Sequence, residues 1–137
     1  MTKQPPWEEI EHTADLALRA RGKDRRALFR NSAFGLAALL GGESDTAEIV
    51  QVHVELEASE WEVLLYGWLK EVLDAVEEHG LVLTEVFIRK IRDCKLNADF
   101  AGHPRGRFSR YIKAVTFHNL AIEQAQGNYE ATIVFDV

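Results

Sequence analysis

The chain has 137 residues, 47% hydrophobic and 28% charged, a balance that supports one core in a single domain spanning 1–137. No apolar run reaches the ~20 residues of a bilayer-spanning helix, Met1 to Glu8 carry no apolar signal core, and a lone cysteine, Cys94, excludes an internal disulfide and a cysteine-built zinc site; the expectation is a soluble, cytoplasmic chain without membrane contact. Sixteen Lys and Arg against twenty-two Asp and Glu leave a formal charge of −6, which argues against a nucleic-acid footprint spread over the whole surface.

Leu16 to Arg21 alternates apolar with mixed or basic residues, the period-2 mark of a half-buried strand, and Gly22 closes it. A helix follows, with Asp24 as N-cap, Leu28, Ser32, Ala33, Leu36, Ala37 and Leu40 on one stripe, and Gly41-Gly42 as its stop. Gly35 inside it is unfavourable by about 1 kcal/mol relative to alanine. Ile49 to Ala58 forms the cleanest strand, Val50, Val52, Val54, Leu56 and Ala58 on one face and Gln51, His53, Glu55 and Glu57 on a solvated one. Ser59-Glu60-Trp61-Glu62 fits a capping box, Ser59 accepting from the third helical amide while Glu62 reaches back. The amphipathic helix it opens carries Trp61, Leu64, Leu65, Trp68, Leu69, Val72 and Val76 on its apolar stripe and stops at Gly80.

Leu81 to Ile91 and Lys95 to Ala101 read as strands joined tightly around Arg92-Asp93, the first apolar on both faces as a central strand would be. Gly102 to Arg110 is a basic, glycine- and proline-punctuated loop, and Tyr111 to Thr116 is extended. A last hairpin pairs His118–Gln124 with Tyr129–Val137 across Gly127-Asn128. This order indicates an α+β fold, a largely antiparallel sheet with two helices packed on one face.

Charge is segregated along the chain. Arg19 to Arg30 holds six basic residues and one acid, Glu43 to Glu85 twelve acids and one lysine, and Arg89 to Lys113 eight basics and two acids. Such blocks suit opposed surface patches that meet a charged partner, and they also suit solvated helix faces. Phosphate-cradling glycine motifs and a G-x-S-x-G elbow are absent, and Cys94 lies at a strand turn with no evident base, so nucleophilic chemistry lacks a candidate.

Three segments place ionisable residues where the pattern wants something simpler: Glu11-His12-Thr13-Ala14-Asp15 before the first strand, Lys113 to Asn119 before the last hairpin, and Asp136 beside the Val137 α-carboxylate. Crowded carboxylates repel one another unless a hard cation such as Ca²⁺, Mg²⁺ or Mn²⁺ sits between them, with Asp15 able to bring a third. The plainer alternatives are Asp15 as a turn or cap residue and His12 and His118 as hydrogen-bonded structural histidines, with His53 simply solvated.

Taken together, Glu11-His12-Thr13-Ala14-Asp15, the helical Leu28-Phe29-Arg30-Asn31-Ser32-Ala33, Trp68-Leu69, Lys113-Ala114-Val115-Thr116-Phe117-His118-Asn119-Leu120 and the final Val134-Phe135-Asp136-Val137 resemble the archease family over nearly the whole chain. Phe117 stands where the family often has tyrosine. The resemblance implies a small strand–helix–strand–strand protein, itself non-catalytic, that serves as cofactor of an RtcB-type RNA ligase in tRNA splicing and RNA repair. It implies faster guanylylation of the ligase with GTP, many turnovers, and contact with RNA only through the ligase. It also implies a Ca²⁺ site at Asp15, Asp136 and the Val137 carboxylate, with Mg²⁺ or Mn²⁺ as alternatives, and partner or functional contacts at His12, Lys113 and His118. Two other classes remain open: a stand-alone metal-dependent phosphoesterase using Asp15, Asp136 and His118, and an RNA-binding or chaperone-like module using the basic blocks.

Overall fold

The computed structural model describes residues 4–10 and 15–137. Twelve elements follow in order among the described residues: β1 (Trp7–Ile10), β2 (Leu16–Gly22), α1 (Arg25–Leu40), β3 (Gly42–Glu43), β4 (Val50–Glu57), α2 (Trp61–His79), β5 (Val82–Arg92), β6 (Lys95–His103), β7 (Arg107–Phe108), β8 (Ala114–Val115), β9 (Ile122–Ala125) and β10 (Asn128–Asp136). The α+β class and the antiparallel pairing are as expected. The sheet itself is split: β1, β2 and β10 run side by side with β8 and β9 both on the far side of β10, while β4, β6 and β5 form a second sheet. The two-residue strands β3 and β7 pair separately.

Helix α1 starts where expected, because the Asp24 carboxylate accepts the Ala27 amide at 2.8 Å, and it ends where Gly41 turns left-handed at φ 60°. The capping box of α2 does not form. Glu60 is the N-cap and makes no side-chain cap bond, while Glu62 accepts the Ile122 amide at 3.1 Å. A long-range partner thus takes the carboxylate that local pattern assigned to the helix start.

Both helices bridge the two sheets: α1 lies against β2, β1 and β10 and also against β5, whereas α2 lies against β4, β6 and β8. The core is one continuous cluster that includes Leu18, Phe29, Leu36, Trp68, Leu69, Phe100, Ile133 and Phe135. Trp68 is fully buried, donates its indole N–H to the Phe29 carbonyl at 2.8 Å, and meets Phe100 edge-on at 5.7 Å. Burying side chains of this size stabilises the fold by about 1.5–3 kcal/mol each.

Several expectations are corrected. Strand β6, not β5, is central, and β5 is an edge with register shifts at Leu83/Glu85 and Ile88/Lys90. Each shift resets the alternation, so Leu83, Val86, Ile88 and Ile91 all face the core while Phe87 is 56% exposed. The apolar residues on both apparent faces were the imprint of bulges. The basic stretch from Gly102 is partly ordered, with β6 reaching His103 and β7 pairing with β3. The last hairpin turns at Gln126-Gly127, both at positive φ (52° and 80°), so Asn128 already pairs with Ala125. Strand β1 was not anticipated; it pairs with β2 and supplies Glu8 and Glu9.

Candidate functional site

Strand β10 is flanked by β2 in a register that sets Phe135 opposite Leu16. The pairing ends there, and one residue further the same register would set Asp15 opposite Asp136, on a shared face as opposed residues of an antiparallel pair are. Leu16 and Phe135 face the core, so the two aspartates lie on the outer side. On the other flank of β10, Val115 opposes Phe135, Ala114 opposes Asp136, and the Lys113 amide donates to the Asp136 carbonyl at 2.8 Å. Thr116 locks this segment by donating both its amide (3.0 Å) and its hydroxyl (2.9 Å) to the Val134 carbonyl. Asp15, Asp136, Val137 and Lys113 are therefore gathered at one end of the first sheet, with Val137 55% exposed.

The two side-chain carboxylates are oxygen donors, the chemistry that Ca²⁺, Mg²⁺ and Mn²⁺ take. The residues present thus fit a hard divalent cation. No group of three or more His, Cys, Asp or Glu side chains among the described residues is placed to hold a metal. Asp15, Asp136 and His118 consequently do not assemble the three-residue centre that a phosphoesterase would need. His118 sits in the exposed turn after β8, where its Nε2 lies 3.2 Å from the Asn119 side-chain amide. Phe117 beside it is 45% exposed and meets Tyr66 edge-on at 5.9 Å. His12 lies outside the described residues.

Two polar clusters on the outer faces were not legible in the sequence. Arg21, nearly buried, donates to Glu8 at 2.6 Å and to Glu130 at 2.8 Å. Burial works against its charge, but the two carboxylates outweigh that and raise its pKa further. On the second sheet Asp99, 5% exposed, lies 2.6 Å from His53 Nδ1 and accepts from Arg89. The hydrogen bond from His53 and then that from Arg89 hold its carboxyl below the usual range. His53, expected to be merely solvated, therefore hydrogen-bonds a buried carboxylate through one ring edge.

The fold and site define a small α+β protein with a strand–helix–strand–strand unit (β4, α2, β5, β6) and carboxylates gathered at one sheet end. The model of the archease protein family (MTH1598/TM1083) matches residues 7–137, and the chain belongs to that family. It is 30% identical to the protein archease of Methanopyrus kandleri, with 96% of this chain and 99% of that protein covered. It is likewise 30% identical to the protein archease of Archaeoglobus fulgidus, over 93% of this chain and 96% of that protein. Among solved structures, it resembles protein 1598 of Methanobacterium thermoautotrophicum at 27% identity and a TM-score of 0.72, covering 96% of this chain and 99% of that one. The fold is also that of a Thermotoga maritima protein described as "an archease, possible chaperone", at 24% identity and a TM-score of 0.68 over 100% of this chain and 98% of that one.

Proposed function

We propose that this protein is a non-catalytic activator of an RtcB-type RNA ligase, promoting guanylylation of the ligase with GTP and its repeated turnover. The observation that supports this reading best is the β2–β10 register, which pairs Phe135 with Leu16 and so draws Asp136 and Asp15 to the same exposed sheet end, in a sequence without a nucleotide-binding glycine motif. Asp15, Asp136 and the Val137 carboxylate hold a divalent cation, most readily Ca²⁺, and present it to the partner. When bound, such an ion offsets triphosphate charge during nucleotidyl transfer. Lys113, whose backbone amide is bonded to the Asp136 carbonyl, is the residue of this end assigned to partner or substrate contact. His118 and the half-exposed Phe117 extend the same rim toward the partner.

The test mixes substoichiometric protein with an RtcB-type ligase, GTP, divalent metal and RNA bearing 3′-phosphate and 5′-hydroxyl ends, and follows guanylylated ligase and joined RNA over many turnovers. Wild type stimulates both, and Asp136→Ala, shown to be folded, loses at least about tenfold of the stimulation, as removal of a charged ligand worth about 1.4 kcal/mol or more requires. Stimulation by Asp15→Ala and Asp136→Ala at the wild-type rate would defeat the carboxylate reading. RNA hydrolysis by the protein alone would instead favour a stand-alone enzyme.

A further inference from the structure

The two basic blocks of the sequence meet different fates in the fold. Arg19, Arg21, Arg89, Arg105, Arg107 and Arg110 each find a carboxylate within 3.6 Å. Arg25, Arg26 and Arg30 have no carboxylate partner among the described residues, and all three lie in the first half of α1. Packing of α1 against β5 brings Arg26 onto the Ile88 carbonyl and sets this helix beside Arg92 at the end of β5. Arg25 and Arg26 thereby share one corner with Arg92, which is itself paired with the exposed Asp93 at 3.4 Å, although the chain as a whole is acidic.

That corner is hollow and partly aromatic. A cavity of about 450 Å³ is lined by Arg25, Arg26 and Arg92 together with Trp61 and Tyr129. The Arg25 guanidinium lies 4.2 Å from the Trp61 ring centre and 4.9 Å from that of Tyr129, and its buried Nε has no hydrogen-bond partner. Trp61 is in turn fixed edge-on against core residue Phe29 at 6.5 Å. The two acids of the lining are already engaged, Asp24 by the Ala27 amide at 2.8 Å and Asp93 by Arg92 at 3.4 Å.

We propose that this corner binds single-stranded nucleic acid, its phosphates taken by Arg25, Arg26 and Arg92 and a base packed beside Trp61 and Tyr129. Planar guanidinium forks match phosphate oxygens, and rings beside a guanidinium plane take the face of any unstacked base. An acidic peptide offers carboxylates but no flat apolar face for the rings. The cavity is of the size that takes one drug-sized group, which suits a single nucleotide of an open strand better than a duplex whose bases are hidden. Tyr129 and Asp136 lie at opposite ends of β10, about 24 Å apart at 3.4 Å per residue, so the phosphate-attracting corner is well separated from the carboxylates that would repel a strand. The site does not rest on the ligase reading, and the chain alone suffices to test it.

Fluorescence anisotropy of a labelled 12-nucleotide oligo(U), titrated with the full chain at several salt concentrations, measures the binding; oligo(dT) of equal length distinguishes ribose from deoxyribose, and binding of either supports the site. Three phosphate contacts give a slope of log affinity against log salt of about −2. Arg26→Gln and Arg92→Gln each weaken binding about three- to tenfold and flatten the slope by about 0.7. Arg25→Lys, which keeps the charge but loses the planar fork, also weakens it, whereas Arg107→Gln, removing an arginine of β7 that does not line the corner, leaves it unchanged. No binding at low salt, equal binding by the corner variants and wild type, or displacement of the strand by poly-glutamate at matched charge would overturn the proposal.

Discussion

At the scale of the residue, Asp99 shows how far a side chain's environment can depart from its local pattern. It sits on the outer face of the central strand β6, yet it is buried between His53 of β4 and Arg89 of β5, partners 46 and 10 positions away. Its carboxyl is held below the ordinary range, so its contribution is complete above the unfolded carboxylate pKa of about 4. As pH falls through the lower folded value, the unfolded chain takes up the proton first and that contribution disappears. Asp99→Asn is therefore expected to be less stable than wild type at neutral pH and to lose less on acidification to about pH 3, as read by urea unfolding at the two pH values. An equal acid loss in both chains would contradict this role. Nothing in the alternation of Lys95 to Ala101 announces the triad, because a strand pattern says which face a residue takes but not what stands opposite it.

At the scale of the element, the two helix starts separate a local signal that formed from one that did not. Asp24 caps α1 through the Ala27 amide, so Asp24→Ala is expected to cost about 1 kcal/mol. Ser59 caps nothing, since α2 begins after Glu60, and Ser59→Ala is expected to fall within about 0.5 kcal/mol of wild type in the same denaturant titration. A Ser59→Ala loss as large as that of Asp24→Ala would restore the capping box. Gly35 has a similar lesson. Its helix-propensity cost was visible in the sequence, but its reason was not: a Cβ there would come within 2.9 Å of the Leu18 side chain and of Trp7 Cβ. Strands β2 and β1 press against α1 at that point, and only glycine admits the contact. The bulges of β5 belong to the same class, because a period of 2 broken by steps of three looks like an apolar run until the register against β6 is known.

At the scale of the whole molecule, the arrangement is one of opposed ends. Strand β10 carries an aromatic, arginine-lined corner at Tyr129 and a carboxylate end at Asp136. If the carboxylate end holds Ca²⁺ in the folded state alone, added Ca²⁺ stabilises the protein by mass action, by about 2.7 kcal/mol at one hundred times Kd. Thermal unfolding is expected to shift upward with Ca²⁺ in wild type and to stay fixed in Asp136→Asn. A shift of the same size in both would place the ion elsewhere. This measurement needs no ligase, so it separates the metal site from the activation proposed for it.

The sequence by itself determined what depends on neighbours a few residues away: both helices, their glycine stops, the β4 alternation, the hairpin at the end, and the family, carried by short blocks such as Lys113 to Asn119. Tertiary structure alone decided which strand is central, that a second sheet exists, and which arginines meet a carboxylate. It also decided that Leu16 pairs with Phe135, so that Asp15 and Asp136 come to the same sheet end, a relation set by the register of strands whose partners, such as Arg21 and Glu130, lie 109 positions apart. The physical reason is the same throughout. Hydrogen bonds within a helix turn or a hairpin are specified by adjacent residues, whereas strand order, bulges and ion pairs are chosen by how complete elements pack around one core.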